Sequence, residues 1–306
     1  MGWPLRMFEP LGIYFVTVRC FQRRLLMRPS SETNEVLGGV LARAARLNGV
    51  EVFVFVFASN HVHLLVRAPR GNLPRFMQHL LTNISKKVGT LVRWRGRFWE
   101  RRYSAAPVLD EIALLERVRY ILAHGPKEGL VRTCHEWPGL SSLPMMLDGK
   151  VRRFRWFNWT RQGKATRPGQ DLGRFNEKWA EQETLELTPL PLQTLQTREA
   201  FRRFLQDATQ AIEAQAAKLH ARFLGRDGVL RQNPHRRSRP KERTPRPLCH
   251  TSFPALLKEY RETYRAYVSA FWQASVRWVQ GQFDARFPDG AHRPFLWPLA
   301  TPQLAA

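Results

Sequence analysis

Two histidines separated by one residue, His61 and His63, have types and spacing that could carry chemistry. They lie in HVHLLVR, an apolar run typical of a strand, and alternate residues of a strand point to one face roughly 6–7 Å apart. Two imidazoles at that spacing can bind one divalent metal ion. The alternative interpretation is a pair of surface histidines on a hairpin strand, and spacing alone leaves both open.

Tyr120 and His124 form a second pair, four residues apart, in a segment predicted to be a helix over 110–124. Residues i and i+4 share a helix face, and both lie off this helix's apolar stripe. A tyrosine hydroxyl beside a metal ligand could attack a phosphodiester, with the ion stabilising the developing charge. The competing interpretation is a half-buried edge tyrosine and a histidine facing the helix dipole.

Hydrophobic periodicity indicates the elements that must position these side chains. β-branched and apolar runs predict strands over 13–21, 50–57 and 61–67, and an irregular strand over 97–108. Helical spacing predicts helices over 31–48, 72–89 and 110–124. The resulting order, β-α-β-β-α-β-α, predicts an α+β fold: a ferredoxin-like antiparallel sheet with helices on one face.

Residues 149–306 have a different character, and we expect a basic, mostly helical C-terminal extension there. Long helices are predicted over 198–224 and 252–282. Between them, a Pro/Arg-rich arm at 231–246 holds seven basic residues and is too polar for a core element.

Charge is the strongest compositional signal. The chain has 49 basic residues, 40 of them arginine, against 25 acidic ones, which gives +24. Arginine binds phosphate with a bidentate fork, so this excess favours a nucleic-acid partner over a membrane surface. No apolar run is long enough to span a bilayer. Three scattered cysteines and the lack of a signal pattern predict a cytoplasmic protein.

Three segments then resemble, in the same order, motifs of the single-tyrosine HUH transposases of bacterial insertion sequences, and of their REP-associated branch in particular. The segments are SNHVHLLV at 59–66, GRFWERRY at 96–103 and VRYILAHGPKEGLV at 118–131. The resemblance covers about residues 8–145. It implies a catalytic domain over 8–148 with the HUH nuclease type of ferredoxin-like sheet.

The resemblance also implies roles for the four residues. Tyr120 falls on the nucleophile, which attacks single-stranded DNA and leaves a 5′-phosphotyrosine and a free 3′-hydroxyl. His61 and His63 fall on ligands of Mg²⁺ or Mn²⁺. His124 stands where the family often has Asn or Gln as third ligand, a departure that favours Mn²⁺-like ions.

Members of the family recognise hairpins in single-stranded DNA, so the resemblance implies a basic surface for them. Aromatic side chains can stack on unpaired bases while cations bind phosphates, although Phe98 and Trp99 could instead be core residues. We expect DNA contacts from Arg75, Lys86, Lys87, Arg95, Arg97, Trp99, Arg101, Arg102 and Lys127. Two other functions stay open: a domesticated hairpin-binding protein that mobilises nothing, and a metal nuclease that uses water. No membrane partner is expected, and a homo-oligomer is left undecided.

Overall fold

The centre of the molecule is a four-stranded antiparallel sheet in the order β2-β3-β1-β4. The computed structural model describes residues 5–165, 173–238 and 247–291. The strands are β1 (Ile13–Arg19), β2 (Glu51–Ala58), β3 (His61–Arg67) and β4 (Ser104–Val108). With the helices between them, this is the topology of a ferredoxin-like unit, so the predicted fold class is confirmed.

Three helices complete this unit: α1 (Ser31–Asn48), α2 (Leu73–Leu91) and α3 (Glu111–Leu122). Local sequence sets their ends. Ser30 caps α1 by accepting a hydrogen bond from the backbone of Thr33, and Asp110 caps α3 in the same way. Gly49 ends α1 in the left-handed conformation, at φ 61°, which glycine adopts without strain.

The sheet is buried on both faces. Helices α1 and α2 pack against one face, where Val16 and Leu64 point, and α3 packs against the other, where Phe15 and Leu65 point. The expectation of helices on one face therefore holds for α1 and α2 but not for α3. The wholly apolar β2 requires a cover on each side.

A β-hairpin that periodicity did not predict packs against α1. It consists of β5 (Arg152–Phe157) and β6 (Ala180–Leu185). A Cβ atom on Gly39 would lie 2.2 Å from the carbonyl oxygen of Arg155, and one on Gly38 would lie 2.3 Å from the ring of Phe154. Two glycines inside α1 thus permit the close approach of β5.

The remainder is mainly helical, as predicted, with α4 (Leu143–Asp148), α5 (Trp159–Ala165), α6 (Arg198–Leu219), α7 (Arg226–Leu230) and α8 (Pro254–Val279). Leu205 of α6 is buried in the core that α3 shares. Tyr264 and Tyr267 of α8 donate hydrogen bonds to the backbone of the N-terminal segment. Residues 239–246 of the predicted arm lie outside the described residues. Within the described chain, no helix combines the length and apolarity that a bilayer crossing needs.

Candidate active site

Three histidines converge where β3 begins and α3 ends. The ring centroids of His61 and His63 are 4.8 Å apart, and the ring of His124 lies 4.8 Å and 4.4 Å from them respectively. One ring nitrogen from each lies within 4.8 Å of the others. Metal–nitrogen bonds are about 2.1 Å long, so two nitrogens on one ion lie at most about 4.2 Å apart, and the three rings would have to move inward to share an ion.

Each imidazole has a partner for its Nδ1 atom. The Nδ1 atom of His61 lies 2.6 Å from the side-chain oxygen of Asn60, and that of His124 lies 3.1 Å from the backbone oxygen of Tyr120. Because these oxygens only accept, both Nδ1 atoms carry the proton and leave Nε2 with its lone pair. The Nδ1 atom of His63 lies 2.9 Å from the hydroxyl of Thr17. Such outer partners orient histidines that bind metal ions.

The buried histidines are held in the neutral form. Burial lowers the pKa of His63 well below its ordinary value, and the charges of the two neighbouring imidazoles act in the same direction. Burial also lowers the pKa of His124 to about 4. Neutral imidazole is the form that binds a metal ion. The donor set therefore fits a divalent ion.

Tyr120 lies directly beside the three histidines. It is half-buried, and its ring centroid is 5.3 Å from that of His63 and 5.2 Å from that of His124. The edge-on ring of Phe15, 5.8 Å away, supports it from the sheet. The four residues that the sequence singled out are thus brought together by two separate elements.

Cations surround the tyrosine ring. The guanidinium carbon of Arg117 lies 5.2 Å from the ring centroid, and the ammonium of Lys127 lies 5.0 Å from it. Arg19 stands opposite His61 in the β1–β3 register, and its charge interacts with Tyr120. A dianionic transition state at the tyrosine hydroxyl would be stabilised by this arrangement.

Sequence reasoning missed several of these neighbours. Asn60 directly precedes the His-x-His motif, so its position was an available signal. Thr17 could be found only from the pairing of β1 with β3, which places it opposite His63. Arg117 precedes Tyr120 by one helical turn, and helix geometry alone would have placed it on the tyrosine's side.

Most of the residues expected to contact DNA lie on the surface. The exposed ones are Arg75, Lys86, Arg95, Arg97, Arg101, Arg102 and Lys127. Trp99 is half-buried and donates its indole N–H to the backbone oxygen of Leu81, 2.9 Å away. It lines an open groove between α2 and segment 99–103, together with the apolar Met77 and Leu81 and the basic Arg101 and Arg102.

Lys87 does not belong to this surface, contrary to expectation. It is only 3% exposed. Its ammonium lies 4.2 Å from the ring centroid of Trp156 and 4.3 Å from that of Trp159, and it donates a hydrogen bond to the backbone of Phe157. The C-terminal extension therefore covers this side of α2 and removes Lys87 from contact with a nucleic acid.

One protein-family model matches part of this chain. Residues 12–124 match the family model described as "Transposase IS200 like", so the resemblance to these transposases is confirmed for this segment. No curated protein matches the chain.

Two solved structures are similar to it. One is a REP-associated tyrosine transposase bound to a REP hairpin, 18% identical, with a TM-score of 0.43, covering 48% of this chain and 86% of that protein. The other is a candidate transposase from Deinococcus radiodurans R1, 21% identical, with a TM-score of 0.29, covering 40% of this chain and 95% of that one.

Proposed function

We propose that residues 8–148 form a catalytic domain that cleaves and rejoins single-stranded DNA through Tyr120, in the cytoplasm and at hairpin-forming ends. The convergence of one half-buried tyrosine with three histidines, two of them buried and neutral, carries the proposal. The match of residues 12–124 to IS200-like transposases supports the same class of reaction. All four side chains come from one chain, so the proposal does not require a second copy.

In this reaction the Tyr120 hydroxyl attacks phosphorus and the P–O3′ bond breaks. The 5′ phosphate stays on the tyrosine, the phenolic proton passes to solvent, and the departing 3′ oxygen takes a proton from water. A second 3′-hydroxyl reverses the step and rejoins the strand. Lys127, exposed beside the tyrosine ring, would hold the phosphate that is attacked.

His61, His63 and His124 would hold a divalent ion, Mg²⁺ or Mn²⁺, which supplies positive charge for the phosphate oxygens when bound. The chain's own contribution is to keep the imidazoles neutral and to orient their rings. Thr17, Asn60 and the backbone of Tyr120 do this through the three Nδ1 atoms. The exposed arginines of α2 and of segment 95–102 would bind the backbone of the hairpin.

The test uses a labelled single-stranded oligonucleotide that contains an imperfect palindrome and folds into a hairpin, with Mg²⁺ or Mn²⁺ present. Wild-type protein is expected to give cleavage and a covalent protein–DNA adduct on a denaturing gel. Tyr120→Phe keeps the helix and its packing but should lose both, with hairpin affinity unchanged.

Other outcomes contradict the proposal in distinct ways. Cleavage by Tyr120→Phe at the wild-type rate means that water is the nucleophile. Tight hairpin binding without cleavage or adduct by the wild-type protein indicates a domesticated binding protein.

A further inference from the structure

The Arg117 side chain has hydrogen-bonding capacity that the described structure does not use. Its Nε atom is buried and has no hydrogen-bond partner among the described residues, while the side chain as a whole is 22% exposed. Its ion pair is with Glu116, at 3.9 Å, and that carboxylate is itself 54% exposed. A buried guanidinium N–H without an acceptor is unfavourable, and a long ion pair to an exposed carboxylate adds little stabilisation to this side chain.

The surroundings of Arg117 are those of the tyrosine site. Its guanidinium carbon lies 5.2 Å from the ring centroid of Tyr120 and 5.7 Å from that of Phe15. His250, from the segment after the arm, contacts Phe15 edge-on at 5.3 Å. The cation would attract an anion placed beside the tyrosine ring.

Arg119, two residues further along α3, shows the contrast. Its guanidinium lies 4.8 Å from the ring centroid of Phe204 in α6, on an exposed part of the helix. That contact is a packing contact with the C-terminal extension. Arg117 and Arg119 are therefore the same residue type on the same helix, but Arg117 lies beside Tyr120 and Arg119 lies beside Phe204.

Building on the proposed function, we propose that Arg117 is a further catalytic residue, which binds a non-bridging oxygen of the phosphodiester that Tyr120 attacks. As the Tyr120 oxygen bonds to phosphorus and the P–O3′ bond breaks, negative charge grows on the non-bridging oxygens. The guanidinium fork donates to them from one helical turn before the nucleophile. Lys127 lies at a similar distance from the ring and contributes a point charge.

The experiment measures the rate of adduct formation in a single turnover at saturating hairpin DNA, with hairpin affinity and thermal melting recorded for each variant. Arg117→Ala should lower the rate by roughly 100-fold or more. Arg117→Lys keeps the charge but loses the fork, so it should give an intermediate loss, and it serves as the test if the alanine variant does not fold. Arg119→Ala is the matched control and should retain the wild-type rate.

Added guanidinium ion distinguishes a catalytic from a structural role. It should restore part of the rate to Arg117→Ala and change neither wild type nor Arg119→Ala. A wild-type rate in Arg117→Ala overturns the inference, and so does a lost rate that guanidinium fails to raise in a folded variant. If wild-type protein itself forms no adduct, it is the proposed function that fails.

Discussion

The buried ammonium of Lys87 predicts a pH dependence of stability that can be isolated by one substitution. Burial lowers the pKa of Lys87 from 10.5 to about 7. Between these values the unfolded chain holds a proton that the folded protein has lost, so stability must rise with pH. Lys87→Met removes the titrating group and keeps an unbranched side chain between Trp156 and Trp159.

The size of the effect follows from the shift. One pKa unit corresponds to about 1.4 kcal/mol, and integrating the proton difference from pH 7 to pH 9 gives about 2 kcal/mol. The two tryptophan rings and the Phe157 carbonyl favour the charged form. The figure of about 2 kcal/mol is therefore an upper value.

The measurement is urea unfolding of wild type and Lys87→Met at pH 7, 8 and 9. The free energy of unfolding of the wild type, relative to that of the variant, should increase with each rise in pH, by up to about 2 kcal/mol in total. Lys86→Met, on the exposed face one residue earlier, should show a difference from wild type that is flat across this range. A flat difference for Lys87→Met would refute the reasoning.

Two predictions concern the site and the arm. His61→Ala or His63→Ala should abolish metal-dependent cleavage, as EDTA should for the wild type, whereas His124→Asn should keep part of it. Thr17→Val should weaken metal affinity by about 10–100-fold, measured by titration with Mn²⁺. Normal cleavage by all the alanine variants would place the site elsewhere. Arg236 and Arg237 are both exposed, and neutralising them should flatten the slope of log affinity against log salt concentration by about 1.4. Each phosphate contact that is lost accounts for about 0.7 of that slope. An unchanged slope would show that these residues do not belong to the DNA-binding surface.

The two residue pairs of the candidate site could be predicted because each pair depends on local geometry. A strand places His61 and His63 on one face, and a helix places Tyr120 and His124 on one face. What brings the two pairs together is the packing of α3 against the sheet. Periodicity indicated that α3 has an apolar stripe but not which face of the sheet it covers.

The position of Lys87 shows why other features escaped prediction. Its spacing puts it on the apolar stripe of α2, three residues after Ile84, yet its charge suggested the solvent face. Its partners Trp156 and Trp159 lie about seventy residues later, in a hairpin and helix that local pattern did not reveal. Gly38 and Gly39 also escaped prediction. Glycine weakens a helix locally, and only the close packing of the distant strand β5 explains why α1 contains two of them.

The C-terminal extension contacts both ends of the segment that carries Tyr120 and His124. The His220 ring donates a hydrogen bond to the backbone oxygen of Lys127. The backbone N–H groups of segment 224–225 donate hydrogen bonds to the carbonyl oxygens of segment 129–130. At the other end of α3, Glu111 accepts from the backbone of segment 193–194.

Beside the histidine strand, Ser238 accepts from the Asn60 amide that also orients His61. The residues that make these contacts are ordinary polar and backbone groups, which no sequence motif distinguishes. The family match ends at residue 124, while the contacts that surround the candidate site continue through residue 238.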